Sequence, residues 1–158
     1  MNRRLMLGIV AAALASTALT TFAQDTKSVA GAYSPVSVPA YGDQPRGQMI
    51  LTADGRYSIV LSRADLPKIA AGSRTQATAE ENKTVVHGCI AHTGSYTVDN
   101  GGKAITFHIE TSTFANWNGT SQQRALKLEG DTLSYTVTQP SNGGAPNDVT
   151  WKRIGSRL

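Results

Sequence analysis

Gly94-Ser95-Tyr96-Thr97-Val98-Asp99-Asn100-Gly101-Gly102-Lys103-Ala104-Ile105-Thr106-Phe107-His108-Ile109-Glu110 reads as two alternating strands around a tight turn. Asn100-Gly101-Gly102 is the best hairpin turn in the chain, because Asn and Gly accept the positive φ that such turns need. The second strand, Lys103 to Thr113, alternates cleanly. Ile105, Phe107 and Ile109 fall on one side, and Thr106, His108 and Glu110 on the other.

The same pattern repeats outward in both directions. Val29 to Val38 is a strand broken by Pro35 and closed by Pro39. Gln48 to Thr52 and Arg56 to Arg63 flank Ala53-Asp54-Gly55, where Gly55 supplies a positive φ. Within the latter strand Tyr57, Ile59 and Leu61 share a face. Gln122 to Glu129 and Thr132 to Thr138 flank Gly130-Asp131, and Val149 to Ile154 is the last strand. The tally is about eight strands, at the spacing of a sandwich or a barrel. Closing the sheet on itself removes its edges completely, although a sandwich satisfies the same alternation.

One segment breaks the pattern. Thr78-Ala79-Glu80-Glu81 has the form of a capping box, with two acids in the first turn. Asn82, Val85, Val86, Cys89, Ile90 and Thr93 then fall on one helical face. The spacing predicts an amphipathic helix over about 79–92, with Cys89 as a small buried hydrophobe rather than a reactive thiol. The long connection Ser112 to Ser121 carries Phe114 and Trp117, and fits a rim or lid as well as a plain surface connection.

Composition and charge narrow the function. The chain has 158 residues, 40% hydrophobic and 16% charged, which suits one folded domain and argues against disorder. Cys89 is the sole cysteine, so an intrachain disulfide and a four-cysteine zinc site are both excluded. Residues 1–23 read as a secretory signal: Arg3 and Arg4, an apolar run from Leu5 to Leu19, then small residues ending at Ala23. The expected organisation is a leader over 1–23 and a single domain over 24–158, acting in a periplasm or outside the cell. The apolar run is too short for a stable membrane span. The formal charge of +4 falls to +2 once the two leader arginines are removed. The remaining basic residues are scattered, which gives nucleic-acid binding little electrostatic support. Nothing in the residues selects an oligomeric state.

A resemblance now becomes visible. Tyr41-Gly42-Asp43-Gln44-Pro45-Arg46-Gly47, Leu51-Thr52-Ala53-Asp54-Gly55-Arg56-Tyr57 and Gly94-Ser95-Tyr96-Thr97-Val98-Asp99 are similar to stretches of the bacterial and fungal lipocalin-like domain family. So is Phe107-His108-Ile109-Glu110, followed by Phe114-Ala115-Asn116-Trp117-Asn118-Gly119-Thr120, and so is the closing Val149-Thr150-Trp151. The resemblance covers roughly Gly31 to Arg153 and implies an all-β, eight-stranded antiparallel calycin-type barrel with one helix. There are departures. Gly31-Ala32-Tyr33 stands where the family has Gly-x-Trp, His92 stands where a Tyr is usual, and Phe107 replaces the first His of an HHxE segment. Tyr33 can still plug a barrel end, and the other two changes alter the polarity of the interior.

Arg124 shares a strand face with Leu126 and Leu128, so it points into the barrel and needs a hydrogen-bonding or anionic partner. If the two neighbouring strands pair, His108 and Glu110 are the nearest candidates. The expected ligand-binding set is His108, Glu110 and Arg124 inside, Trp117 at the mouth, and Tyr96 and His92 nearby. The first expectation is a barrel that binds a small, mostly hydrophobic molecule. The second is an isomerase or cyclase with His108 and Glu110 as its catalytic acid–base pair. The third is a barrel filled by its own side chains, with those polar groups forming a structural network or facing solvent. No standard metal, nucleotide or cofactor motif occurs, so no cofactor and no metal are expected.

Overall fold

A computed structural model describes residues 26–99 and 101–155. The expected leader, 1–23, lies outside the described residues. Eight strands follow one another: β1 (Gly31–Ser37), β2 (Arg46–Leu51), β3 (Arg56–Ser62), β4 (Cys89–Val98), β5 (Ala104–Ser112), β6 (Ser121–Glu129), β7 (Thr132–Val137) and β8 (Asn147–Ile154). Each pairs antiparallel with the next. β1 also pairs with β8, from Ala32↔Ile154 to Ser37↔Thr150, so the sheet closes into a barrel. This ladder decides against the sandwich that alternation alone left open.

Alternation then sorts the side chains. Tyr57, Ile59 and Leu61 on β3, Ile105, Phe107 and Ile109 on β5, Leu133 and Tyr135 on β7, and Val149 and Trp151 on β8 are all buried inside. Strict period-two patterning is what a closed sheet with one wet and one dry surface requires. Beside the β4–β5 pairing, the register slips by one residue between Thr93 and Gly94. The backbones approach so closely there that a Cβ on Gly94 would sit 2.0 Å from the His108 carbonyl oxygen, and glycine alone fits.

The helix is shorter than its pattern suggests. α1 spans Ala79–Gly88 rather than 79–92. Its capping box is present as read: the Glu81 N–H donates to Thr78 Oγ1 at 3.2 Å, and the Thr78 N–H donates to Glu81 Oε2 at 2.8 Å. From Cys89 onward the chain pairs with β3, in the order Ser62↔Cys89 and Leu61↔Ile90. Ile90 and His92 then alternate into the barrel, and long-range pairing overrides the helical spacing. The shared helical face is therefore split: Val86 is exposed on α1, while Ile90 is buried on β4.

One end of the barrel is stoppered. Residues 26–29 form a helical turn joined to that end by hydrogen bonds. Tyr96 Oη donates to the Thr52 carbonyl at 2.7 Å, Thr26 Oγ1 donates to the Ala53 carbonyl at 3.2 Å, and Tyr33 Oη donates to the Val29 carbonyl at 2.6 Å. Tyr33 is fully buried and plugs the barrel as expected, with the Arg153 guanidinium 4.8 Å above its ring. Arg153 also donates to the carbonyls of Ala30 and Ser28.

Candidate functional site

The other end is hollow. A cavity of about 770 Å³ opens there, floored by barrel residues such as Ile59, His92, Arg124 and Tyr135. Its rim comes from the β7–β8 connection, with Pro140, Ser141 and Asn142, and from three further segments. One is the short 3-10 turn Pro39–Tyr41, the second is α1 with Val85 and Val86, and the third is the β5–β6 connection with Phe114 and Trp117. The long Ser112 to Ser121 connection is thus rim, and its 3-10 turn, Ala115–Trp117, holds Trp117 in place. Phe114 meets Trp117 edge-on at 5.8 Å, and Trp117 meets His92 edge-on at 5.6 Å.

Arg124 is the chemical centre of this cavity. It is only 4% exposed. Its guanidinium lies 4.9 Å from the Phe107 ring centroid and 4.8 Å from that of Tyr135, so it is held between two aromatic faces. Cation–π contacts of this kind contribute about 2 kcal/mol when desolvated. Arg124 Nη2 donates to Gln122 Oε1 at 2.8 Å. Among the described residues no carboxylate forms an ion pair with it; the four ion pairs there involve Arg56, Arg63, Lys127 and Arg153. Two rings, one amide and the Tyr135 phenol supply no negative charge, so the buried cation is electrostatically under-compensated. An incoming anionic or hydrogen-bond-accepting group would complete it.

His92 stands beside it. Its Nδ1 is 2.9 Å from Tyr57 Oη, and its ring is only 5% exposed. Burial, assisted by the nearby Arg124 charge, pushes its pKa down to about 3, so it is neutral at physiological pH. Burial also raises the Tyr57 phenol well above its ordinary value, and pushes Tyr41 at the rim up to about 12. The polar lining includes the Tyr41 and Tyr135 phenols, the neutral His92 imidazole and the Arg124 cation, with Thr113, Ser141, Asn142 and Asn147 beside them. Around Arg124 such a surface favours an acceptor group on whatever enters.

Of the six residues expected at the site, His92, Trp117 and Arg124 line the cavity. Tyr96 does not: it is buried at the stoppered end, tied to the Thr52 carbonyl. His108 and Glu110 are a correction, because both lie on the outside of the barrel. His108 Nδ1 is 2.8 Å from Ser121 Oγ on the neighbouring strand. Glu110 accepts from Arg56 Nη1 at 2.5 Å and Nη2 at 2.8 Å, an exposed pair in which the guanidinium holds the carboxyl below its usual range. The physical reason is in the register. Ile105 pairs with Arg124 and Phe107 with Gln122, so Arg124 shares its side of the sheet with the apolar residues of β5. That geometry places the His108 and Glu110 side chains away from the cavity.

Of the residues that Arg124 does meet, Phe107 stands out in the sequence as an interior departure, whereas Tyr135 and Gln122 do not. Gln122 was legible two positions before Arg124 on the same face. Tyr135 was legible only with the β6–β7 register, which pairs it with Leu126. His87 is exposed on α1, as its polar-side position implied, and Cys89 is half-buried at the mouth with its thiol donating to the Val85 carbonyl at 3.1 Å. Among the described residues no three His, Cys, Asp or Glu side chains come together as a metal site, and no helix is long and apolar enough to cross a membrane.

Comparison with known proteins agrees with this architecture. The 4'-hydroxy-3'-methoxypropiophenone carrier protein ppsC of Aspergillus oryzae is 27% identical over 86 residues, which cover 49% of this chain and 78% of that protein. A family model described as a lipocalin-like domain matches residues 27–154. That span contains all eight strands, and the chain belongs to the lipocalin-like domain family.

Proposed function

We propose that this protein is a carrier for a small, mostly apolar molecule, held in the 770 Å³ cavity with an anionic or acceptor group against Arg124. The observation that carries this reading is the buried Arg124 guanidinium, which faces the cavity between Phe107 and Tyr135 with no carboxylate partner among the described residues. A cavity of this size falls in the usual range for small-molecule sites, and its apolar walls supply burial energy at roughly 25 cal/mol per Å² before ordering costs. The space supports carriage over a barrel filled by its own side chains. The similarity to a fungal carrier of an aryl ketone points the same way, since a ketone oxygen is an acceptor that Arg124 could meet. The carrier works outside the cytoplasm once residues 1–23 are removed. An intact mass matching a chain that starts at Gln24 supports this part, and retention of the leader on protein recovered from the cell contradicts it.

The test of binding uses the tryptophans. Trp117 sits at the mouth and Trp151 at the stoppered end. Titration with 8-anilinonaphthalene-1-sulfonate (ANS), with uncharged N-phenyl-1-naphthylamine (NPN) and with 4'-hydroxy-3'-methoxypropiophenone is expected to quench the Trp117 emission saturably, at one probe per chain. Trp117→Phe should remove most of that quench. Absence of a saturable signal with all three compounds contradicts the carrier reading.

A further inference from the structure

The barrel wall is not continuous. The β6–β7 ladder runs from Glu129↔Thr132 to Leu126↔Tyr135 and stops there. Beyond that point β6 goes on pairing with β5 as far as His108↔Ser121, and β7 goes on pairing with β8 as far as Val137↔Asn147. The two neighbours therefore run on without pairing each other. The chain after β7 enters Gln139-Pro140, and Pro140 has no N–H to offer a ladder. Where the strands part, a second cavity of about 180 Å³ opens, lined by Ser121, Gln122, Gln123, Arg124, Thr138 and Gln139. These are the residues that an extended ladder would have joined.

Two features make this slot more than a gap. Its lining residues are all of polar type, five with uncharged hydrogen-bonding side chains and one a cation. That cation, Arg124, also lines the main cavity, so one guanidinium borders both spaces. At about 30 Å³ per water, the slot holds roughly six water molecules, enough for a carboxylate or sulfonate with its first hydration partners.

We propose that the β6–β7 slot is a side subsite for the anionic end of an amphipathic ligand. The apolar body occupies the main cavity, and the charged end passes Arg124 and reaches water through the wall. The proposal rests on the carrier reading and adds a ligand class: elongated molecules with one anionic terminus. Such a molecule keeps its charge hydrated at the slot while its body is desolvated, which avoids the cost of burying an unpaired anion.

The test places charge at the slot without touching the main cavity. Gln123 is exposed, and Gln48 on β2 is an exposed control away from the slot. Gln123→Glu, Gln123→Lys and Gln48→Glu are titrated with ANS, which carries a sulfonate, and with NPN, which does not. Because the screening length at physiological salt is about 8 Å, a charge at position 123 acts on a sulfonate in the slot and little elsewhere. Gln123→Glu is expected to weaken ANS at least fivefold and Gln123→Lys to tighten it at least twofold. NPN should stay within twofold in every variant, which also reports that the barrel is intact. ANS affinities for the two Gln123 variants that agree within twofold overturn the side subsite, as does an equal loss in Gln48→Glu. If the wild-type protein binds neither probe, the carrier reading fails instead.

Discussion

Each end of this barrel buries an arginine against aromatic rings, and the two arginines do opposite things. At the stoppered end Arg153 lies over Tyr33, and it donates to the carbonyls of Ala30 and Ser28. At the hollow end Arg124 lies between Phe107 and Tyr135, and its hydrogen bond to Gln122 leaves it facing two cavities. The packing motif is shared, but the partners are not: Arg153 has two carbonyls and the Asp131 carboxylate 3.7 Å from an Nε that makes no hydrogen bond, whereas no carboxylate among the described residues pairs with Arg124. A buried cation held by the chain's own carbonyls and a nearby carboxylate is structural. A buried cation that the chain leaves incomplete is available for a ligand. Burial alone does not separate the two cases.

The comparison breaks first on stability. Trp151 is fully buried at the stoppered end, so Trp151→Ala is expected to cost about 3–5 kcal/mol in urea unfolding. Trp117→Ala at the rim should cost a small fraction of that. Equal losses would show that the two ends do not differ in kind.

A sharper test exchanges each arginine for an apolar side chain of similar length. Arg153→Met leaves two carbonyls without their donor and is expected to destabilise by about 2 kcal/mol. Arg124→Met removes a buried charge that has no carboxylate partner, and stability should hold or rise. The order of the two unfolding midpoints checks this.

The next effect depends on pH. His92 is held neutral with its pKa near 3, whereas in the unfolded chain it titrates near 6.5. The unfolded state therefore binds more protons between these values. Stability from this group is complete above about pH 6.5 and is lost as pH falls toward 3, by at most about 1.4 kcal/mol per pH unit. Unfolding measured between pH 6.5 and 5 should show this slope in the wild type and a flatter one in His92→Phe. Parallel curves would remove His92 from the account.

The smallest effect is on the outer surface. Glu110→Gln breaks an exposed pair with Arg56. It should leave both the unfolding midpoint and ANS affinity within experimental error. A large loss of probe binding would put Glu110 back into the site.

Most of the fold was legible because alternation and turn chemistry are local. Eight strands and the Thr78 capping box follow from residues near one another in the chain, whereas the Tyr33 plug is implied by the family resemblance. The end of α1 was not legible: Cys89 to His92 fit a helix by spacing, and only pairing with β3 makes them a strand. The site was half legible for the same reason. Arg124 could be placed inside from its leucine neighbours. Its partners could not, because that depends on whether position 124 faces Ile105 or a polar neighbour of it across the ladder. Charge complementarity alone points to His108 and Glu110. The apolar residues of β5 claim the interior first, and aromatic faces take the place of the missing carboxylate.

The most direct measurement is a pair of titrations, ANS and NPN, against wild-type protein and Arg124→Met. The account predicts saturable binding of both probes to the wild type, at least a tenfold loss of ANS in the variant, and NPN affinity retained. Loss of neither probe, or equal loss of both, would contradict the claim that Arg124 receives the polar end of a bound molecule.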